Sequence, residues 1–246
     1  MASRKRRTKA QKMQEGAKIG GFGKNDKKVL HPRNSLQKEY LELLNTKEIV
    51  FATGLPGTAK SLLALYKAFE FLDARLIKNI YIAKPKVSIP GETNMGALPG
   101  TLEEKTEPYL QSVVDALSVF MSPSRIEHIM KARGKFDAQL DMIPFDYLRG
   151  RTLPDSFIII DEAQNITAHT MYTILSRIGE NSRIVVTGDT VQRDLNNKYG
   201  LSGLEDSIER FLHLDEVGHV DFNQVHHIER SPLARKIIAE YLNLYK

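Results

Sequence analysis

An eight-residue loop between a strand-like run and a helical run constrains the fold of this chain more than any other feature. The loop Gly54–Ser61 (GLPGTAKS) follows the apolar run Glu48–Thr53 and leads directly into the helical run Leu62–Phe69. The backbone N–H groups of such a loop, together with the N-terminus of the helix, bind phosphate groups. The loop therefore predicts a phosphate-binding site in an α/β domain, and an ordinary glycine-rich turn is the alternative.

The residues of this loop have distinct expected roles. We expect Lys60 to reach the β- and γ-phosphates and the Ser61 hydroxyl group to bind Mg2+. Ala59 stands where the usual pattern has a glycine, and an alanine fits there if its φ is negative and its methyl group faces away from the phosphates. The residues expected to contact the nucleotide are Gly54, Leu55, Pro56, Gly57, Thr58, Ala59, Lys60 and Ser61.

Strand-like and helical runs alternate along the chain, which predicts an α/β domain with a mostly parallel sheet covered by helices on both faces. Residues 29–246 are expected to form this single domain. The strand-like runs are Ile49–Thr53, Ile80–Ala83, Phe157–Ile160, Arg183–Thr187 and Val217–Phe222. The helical runs are Ser35–Leu44, Ser61–Leu72, Leu102–Met121, Ser124–Lys131, Thr170–Ile178 and a last run from Pro232 to about Leu244.

Two adjacent acidic residues, Asp161 and Glu162, follow the apolar run Phe157–Ile160. Ligands of parallel sheets bind at the carboxyl ends of the strands, so these acids are expected beside the phosphate loop. We expect Asp161 to hold Mg2+ through water and Glu162 to orient or deprotonate the attacking water. Gln192, after the next strand, is suited to contact the γ-phosphate or its water. Without the phosphate loop, the two acids would equally fit a solvated turn.

The charge of the chain is concentrated at its N-terminus. Residues 1–28 carry ten Lys or Arg and two acidic residues, whereas residues 29–246 carry 25 basic and 28 acidic residues, a net charge of −3. The first 28 residues also have few large apolar side chains, which predicts a disordered basic arm. Such an arm would bind a polyanion by neutralising phosphates, or it is a solvated tail without a specific partner.

Composition excludes several classes of site. The chain has no cysteine, so disulfides, zinc-thiolate sites and thiol nucleophiles are excluded. No apolar run approaches the length of a membrane span, and no apolar core follows the basic N-terminus as in a secretory signal. We therefore expect a cytoplasmic protein without membrane contact.

Taken together, these segments resemble the PhoH family of ATPases, whose nucleotide domain is similar to that of superfamily 1 helicases. The resemblance runs from about residue 31 to 243 and implies a three-layer RecA-like P-loop NTPase domain with Walker A and Walker B motifs. The short length and Ala59 suggest a minimal, phage-encoded member. The segments are Gln37–Tyr40, Gly54–Ser61, Lys84-Pro85, Gly91-Glu92, Leu98–Gly100, Glu107–Tyr109, Arg149–Leu153, Asp161–Asn165, Leu175–Gly179, Thr187–Gln192 and Ser202–Leu204.

The resemblance adds roles that the residues alone leave open. Gln37, which spacing alone would place on the surface, becomes an expected adenine-binding residue, and Gln192 an expected γ-phosphate sensor. Helicases of this kind clamp the nucleotide between two domains, and this chain has room for one. We therefore expect a homo-oligomer, a hexameric ring, in which a neighbouring subunit supplies an arginine. The candidates are Arg149, Arg151, Arg177 and Arg230, each of which also suits a surface or intradomain salt bridge.

The loop Lys84–Thr101 is rich in glycine and proline and follows a strand at the ligand edge. By similarity to helicases, it would contact the backbone of RNA or single-stranded DNA through Lys84 and Lys86, and a plain interface loop is the alternative. The leading interpretation is thus a Mg2+-dependent ATPase coupled to RNA or single-stranded DNA, with possible strand unwinding. A P-loop kinase and an ATP-dependent assembly module with slow turnover are the alternatives.

Overall fold

The computed structural model describes residues 27–84, 102–135, 138–143, 148, 150–190 and 202–243, without the side chains of residues 102–108 and 243. The helices are α1 (Ser35–Thr46), α2 (Lys60–Asp73), α3 (Leu102–Ser118), α4 (Pro123–Ala132), α5 (Ala168–Leu175), α6 (Gly203–Phe211) and α7 (Pro232–Asn243). The strands are β1 (Ile49–Gly54), β2 (Asn79–Ala83), β3 (Leu140–Met142), β4 (Ser156–Ile160), β5 (Arg183–Gly188) and β6 (Val217–Phe222). Single 3-10 turns span Ala163–Asn165 and Val225–His227.

The six strands form one sheet in the order β3-β2-β4-β5-β1-β6, and every pair of neighbours is parallel. Thr53 of β1 is paired with Gly188 of β5, and Val186 of β5 with Ile160 of β4. This register brings the carboxyl ends of β1, β5 and β4 to the same edge of the sheet. The residues that follow these three strands therefore lie close together, although the loop after β1 is more than a hundred positions away from the ends of β4 and β5 in sequence.

Helices cover both faces of the sheet. Val50 and Ala52 of β1 pack on one face with side chains from α1 to α4. Phe51, between them, packs on the other face with side chains from α5 and α6. Strands that are buried on both faces need apolar residues at consecutive positions, which explains the continuous apolar runs. The predicted fold class, a three-layer α/β P-loop domain with a parallel central sheet, is confirmed.

Several element bounds differ from the predictions. The short strand β3 and the helix α6 were not predicted. Helix α3 ends at Ser118, not at Met121, because Met121 forms an isolated antiparallel bridge with Lys27. Helix α5 begins earlier than predicted, because the Thr167 side chain accepts a hydrogen bond from the backbone N–H group of Thr170 and caps the helix.

The bridge at Met121 also joins Lys27, the first described residue, to the domain. The backbone N–H group of Lys28 donates to the carbonyl oxygen of Phe120 at 2.7 Å, and the Lys27 ammonium group lies 4.7 Å from the centre of the Tyr66 ring. The last two residues of the predicted arm thus contact the domain, and residues 1–26 lie outside the described part of the chain. None of the described helices has the length and apolar character that a membrane span requires.

Candidate functional site: a phosphate cavity at the carboxyl edge of the sheet

A cavity of about 280 Å³ opens where β1, β4 and β5 end. It brings together the predicted phosphate loop, the predicted acidic pair and one of the four candidate arginines. The cavity is lined by residues 56–62 and by Asp161, Glu162, Gly188, Asp189 and Arg230.

Two glycines give the loop its path. Gly54 has φ +122° and lies so close to β6 that a Cβ atom there would be 2.4 Å from the carbonyl carbon of Phe222. Gly57 has φ +77°, a left-handed conformation that residues with a side chain rarely adopt. Both positions therefore require glycine, one because of close packing and both because of backbone conformation.

Ala59 does not meet the condition of a negative φ under which an alanine was expected to fit. Its φ is +69° and its ψ +21°, so the alanine occupies the left-handed region that favours glycine. This conformation costs an alanine about 1–2 kcal/mol relative to a right-handed one. The loop keeps the shape of a glycine-containing loop because its contacts with neighbouring elements fix it, and the alanine carries the strain.

The Lys60 side chain lies inside the loop and is 9% exposed. Its ammonium group donates to the carbonyl oxygens of Gly54 at 2.7 Å and Leu55 at 2.8 Å, and to the Thr58 hydroxyl oxygen at 3.2 Å. Burial lowers the pKa of Lys60, although the negative charges of Asp189 and Asp161 oppose this shift. The loop thus holds a desolvated cation at the position where a phosphate-binding lysine is expected.

Asp161 receives three donors at its two carboxylate oxygens. The Ser61 hydroxyl group donates to Oδ1 at 2.7 Å and the Thr187 hydroxyl group to the same oxygen at 2.5 Å. The Lys84 ammonium group lies 2.9 Å from Oδ2. Burial by itself would raise the pKa of Asp161, but Lys84 and these hydrogen bonds hold the pKa below its ordinary value. The carboxylate is therefore ionised and fixed in orientation at neutral pH.

The oxygen atoms of Ser61 and Asp161 fit a magnesium ion. Mg2+ prefers oxygen ligands, keeps several of its waters and is usually bound through one or two protein groups together with substrate phosphates. The Ser61 hydroxyl group and the Asp161 carboxylate are adjacent, hydrogen-bonded to each other and open to the same cavity. They are the residues expected from the sequence to hold the metal.

Lys84 and Thr187 both contact Asp161, and the sequence did not reveal these contacts. Lys84, predicted to contact nucleic-acid phosphates, is ion-paired with Asp161. Thr187 is a hydroxyl residue at the end of the apolar strand next to the acidic one, and that position was the only signal for its contact. Lys86 and the rest of the loop up to Thr101 lie outside the described residues.

Glu162 lines the cavity and is linked through hydrogen bonds of Gln164 to the end of β5. Its backbone is left-handed, with φ +59°, and its side chain is exposed. Its carboxylate accepts a hydrogen bond from the Gln164 amide at 2.9 Å. The other side of the same amide accepts from the backbone N–H group of Asp189 at 3.1 Å. Gln164 therefore ties Glu162 to the end of β5, while Gln192 lies outside the described residues.

Gln37 is not a surface residue, as spacing alone had indicated, because it is 2% exposed. Its side-chain oxygen accepts from the backbone N–H group of Arg33 at 2.8 Å, and its amide nitrogen donates to the Thr58 carbonyl oxygen at 3.4 Å. The residue joins the start of α1 to the phosphate loop. A role in binding adenine stays a prediction.

The candidate arginines lie in different places. Arg230 lines the cavity of its own chain. Arg151 is exposed and lies near Tyr81. Burial raises the pKa of Tyr81, and the positive charge of Arg151 partly opposes this shift. Arg177 precedes Ile178, which is bridged to Leu153 ahead of β4, at the opposite edge of the sheet. Arg149 lies outside the described residues.

Comparisons with known proteins agree on one family. The family model described as "PhoH-like protein" matches residues 29–242. The chain is 37% identical over 214 residues to a PhoH-like protein of Mycobacterium tuberculosis, covering 87% of this chain and 58% of the relative. It is 38% identical over 205 residues to a PhoH-like protein of Bacillus subtilis, covering 83% and 61%. It is 35% identical over 210 residues to the protein PhoH of Escherichia coli, covering 85% and 57%.

The chain thus spans between 57% and 61% of the length of these curated relatives. Among solved structures, the UvsW helicase from bacteriophage T4 is similar at a TM-score of 0.46 and 15% identity, over 87% of this chain and 67% of that one. A likeness at this TM-score supports no statement about function.

Proposed function

The chain belongs to the PhoH-like protein family, and from this premise we propose that it is a Mg2+-dependent ATPase coupled to RNA or single-stranded DNA. The observation that carries the proposal is the single cavity shared by Lys60, Ser61, Asp161 and Glu162. These residues supply a phosphate-binding cation, a pair of metal ligands and a carboxylate for a water molecule. The three functions are those that hydrolysis of a nucleoside triphosphate requires.

Nucleotide binding follows from the loop. Its N–H groups and the N-terminus of α2 favour an anion, and Lys60 is already stripped of most of its water. On binding, the Lys60 ammonium group exchanges its contacts with loop oxygens for phosphate oxygens. This exchange replaces neutral acceptors by charged ones, which strengthens the hydrogen bonds.

The metal site follows from Ser61 and Asp161. When bound, Mg2+ would neutralise charge on the β- and γ-phosphate oxygens. Ser61 would supply a hydroxyl ligand, and Asp161, which accepts a hydrogen bond from that hydroxyl group, would hold a water molecule of the metal. Thr187 and Lys84 keep the Asp161 carboxylate ionised and correctly turned for this task.

Glu162 is the proposed base. In the hydrolytic step, the water oxygen forms a bond to the γ-phosphorus, and the bond to the β–γ bridging oxygen breaks with its electron pair going to ADP. The water gives up its proton to Glu162, which passes it on to solvent. The hydrogen bond from Gln164 fixes the orientation of the Glu162 carboxylate. This supports hydrolysis over transfer to a small acceptor, since a water-orienting carboxylate suits water attack.

The coupling to nucleic acid is supported by charge. The basic arm carries a net charge of +8, whereas the rest of the chain is slightly acidic, so the arm would be the main electrostatic contact with a polyanion. The hexameric ring and the cytoplasmic location stay predictions. An assembly module that binds ATP and turns it over slowly is the second candidate, because the cavity by itself is compatible with slow turnover.

The test is phosphate release from ATP with Mg2+, with and without single-stranded RNA and DNA. Wild type is compared with Lys60→Ala, with Lys38→Ala on the exposed surface of α1 as the matched control, and with a chain lacking residues 1–28. We expect a basal rate that Lys60→Ala abolishes and Lys38→Ala preserves, and a stimulation by polynucleotide that truncation removes.

Two other outcomes have separate meanings. A Lys60-dependent rate that neither polymer changes would contradict the nucleic-acid coupling and favour the assembly module. A wild-type rate no greater than that of Lys60→Ala would contradict the ATPase proposal itself.

A further inference from the structure

The segment after β6 returns to the phosphate loop and is joined to it by backbone hydrogen bonds. The N–H group of Leu55 donates to the Phe222 carbonyl oxygen at 3.2 Å, at the end of β6. Seven residues later, the N–H group of Glu229 donates to the Gly57 carbonyl oxygen at 2.7 Å. The residue that follows Glu229 is therefore placed at the loop by the backbone, in the same chain.

That residue is Arg230, whose side chain crosses the loop at Gly57. A Cβ atom at Gly57 would lie 2.7 Å from Arg230 Cγ and 3.0 Å from its Nε. The absence of a side chain at Gly57 is what lets the arginine lie so close to the loop. Arg230 also lines the cavity together with Lys60, Ser61 and Asp161.

No described residue neutralises the charge of Arg230. Within the described part of the chain, the Arg230 guanidinium group forms no ion pair or hydrogen bond with a carboxylate, whereas Arg33 close by is paired with Glu229 at 2.8 Å. A guanidinium group stays charged at any physiological pH, and its planar set of N–H donors matches phosphate oxygens. An unpaired guanidinium group beside a phosphate loop is thus suited to an anion that carries several oxygens.

We infer that Arg230 is the arginine of this ATP site and that it acts in cis, on the terminal phosphate bound by the loop of its own chain. This inference rests on the proposed ATPase function. It replaces the expectation that hydrolysis needs an arginine from a neighbouring subunit. A ring, if the chain forms one, is then not required for the chemical step.

The two other candidates that the structure describes do not compete within one chain. Arg177 belongs to the opposite edge of the sheet, and Arg151 is exposed near Tyr81. Either would reach a phosphate cavity only from another subunit. An experiment that mixes two inactive variants can therefore distinguish Arg230 acting in cis from an arginine acting in trans.

The first experiment compares ATP hydrolysis and ADP binding in Arg230→Ala, Arg230→Lys and Arg235→Ala. Arg235 is an exposed arginine of α7 and serves as the matched control. We expect Arg230→Ala to lower the hydrolysis rate by roughly a thousandfold, Arg230→Lys to recover only part of it, and Arg235→Ala to keep the wild-type rate. The affinity for fluorescent ADP should change by less than about threefold, because ADP lacks the phosphate that Arg230 binds.

The second experiment mixes two inactive chains. Lys60→Ala and Arg230→Ala are co-expressed with different affinity tags, and mixed assemblies are purified through both tags. If Arg230 acts in cis, no site in the mixture is complete, so the rate stays at the level of the parent variants. If it acts in trans, sites with a normal loop and a normal neighbouring arginine form, and a substantial part of the wild-type rate returns. Failure to form mixed assemblies from a monomeric, active wild type also supports the cis assignment.

The results separate this inference from the proposed function. Recovery of activity on mixing, or a wild-type rate in Arg230→Ala, would overturn the inference while leaving the ATPase intact. A loss of ADP binding as large as the loss of hydrolysis would show that Arg230 supports the loop and does not act on the terminal phosphate. A wild type without Lys60-dependent hydrolysis would remove the ATPase function, and the inference falls with it.

Discussion

The two walls of the phosphate cavity are built differently. The inner wall, formed by Lys60, Ser61, Asp161 and Thr187, stands on the buried ends of strands and of α2 and is joined by short hydrogen bonds. The outer wall is formed by Arg230, and the backbone beside it is held to the loop by the hydrogen bond from the Glu229 N–H group to Gly57. Helix α7 follows this segment in the chain. The ion pair between Arg33 and Glu229 supports this wall, but those side chains are 72% and 26% exposed.

The helices of the two walls show the same contrast. Helix α2 buries most of its length, including Leu63, Phe69 and Phe71. Helix α7 leaves Leu233 68% and Ile237 61% exposed. Regions with few buried contacts open at lower free energy than the core. The inner wall is thus preorganised for the proposed binding of phosphate and metal, whereas the outer wall brings one arginine to the same cavity from a less buried segment.

Apart from Lys60→Ala and Arg230→Ala, the largest expected effect comes from removing a negative charge from the inner wall. Asp161→Asn should lower Mg2+-dependent hydrolysis by at least about a hundredfold, because the carboxylate that holds the metal becomes a neutral amide. The measurements are phosphate release and binding of Mn2+ followed by electron paramagnetic resonance. Asp215→Asn, at an exposed carboxylate, is the control. Equal Mn2+ affinity in Asp161→Asn and wild type would show that Asp161 is not part of the metal site.

Lys84→Met tests how the inner wall keeps Asp161 ionised. Without Lys84, a mostly buried carboxylate loses its cation, and we expect the free energy of unfolding at pH 7 to fall by about 2–3 kcal/mol. In wild type, the pKa of Asp161 is lowered, so this ionisation stabilises the fold above about pH 4, and the stability is lost as the pH falls through the lowered pKa. In the variant, burial raises the pKa, so the destabilisation should be larger at pH 7 than at pH 3.

Urea unfolding of both proteins between pH 3 and pH 8 checks this prediction. Lys78→Met is the control, because it removes the exposed partner of Asp155 and should cause a much smaller loss with little pH dependence. A destabilisation in Lys84→Met that is the same at both ends of the range would mean that Lys84 acts by packing and not through its charge.

Ala59→Gly tests whether the inner wall carries backbone strain. Glycine adopts the left-handed conformation of this position without a Cβ clash, so we expect the free energy of unfolding to rise by about 0.5–1 kcal/mol. Urea unfolding measures it. Ala64→Gly, in the middle of α2, should have the opposite sign, because glycine weakens a helix by about 1 kcal/mol. Destabilisation by both substitutions would contradict the strain at Ala59.

The smallest effect on the free energy of unfolding is expected from the exposed ion pair that supports the outer wall. Arg33→Ala removes the exposed ion pair with Glu229, and the free energy of unfolding should change by less than about 1 kcal/mol. The backbone N–H group of Arg33 that binds Gln37 is retained. If thermal unfolding showed a loss comparable to that of Lys84→Met, the outer wall would be as firmly built as the inner one.

Local patterns in the sequence predicted most of the fold. Four of the five long strands were found as runs of mainly apolar residues, and β6 was found although only three of its six residues are apolar. The predicted start of α1, Ser35, agrees with the structure. Strand β3 was missed because its three residues include Asp141. Helix α6 was missed although Ser202 and Glu205 have the spacing of a capping box and Leu204 and Ile208 that of a helical face.

The parts of the site that could be predicted are formed by residues close together in sequence. The parts that could not be predicted depend on contacts between segments that are far apart in sequence. The loop and the acidic pair have local patterns. The ion pair between Lys84 and Asp161, the burial of Gln37 under the loop and the position of Arg230 over Gly57 arise only when distant strands become neighbours. The left-handed conformation of Ala59 is also set by the surrounding fold and not by the residue.

The affinity of the protein for fluorescent ADP with Mg2+, in wild type, Lys60→Ala and Arg230→Ala, tests the difference between the two walls most directly. The inner wall binds the phosphates that ADP retains, so Lys60→Ala should weaken binding by roughly tenfold to a hundredfold. The outer wall acts on the phosphate that ADP lacks, so Arg230→Ala should bind ADP with nearly wild-type affinity. Equal losses of ADP affinity in the two variants would contradict the account, in which the inner wall binds ADP and the outer wall acts only in hydrolysis.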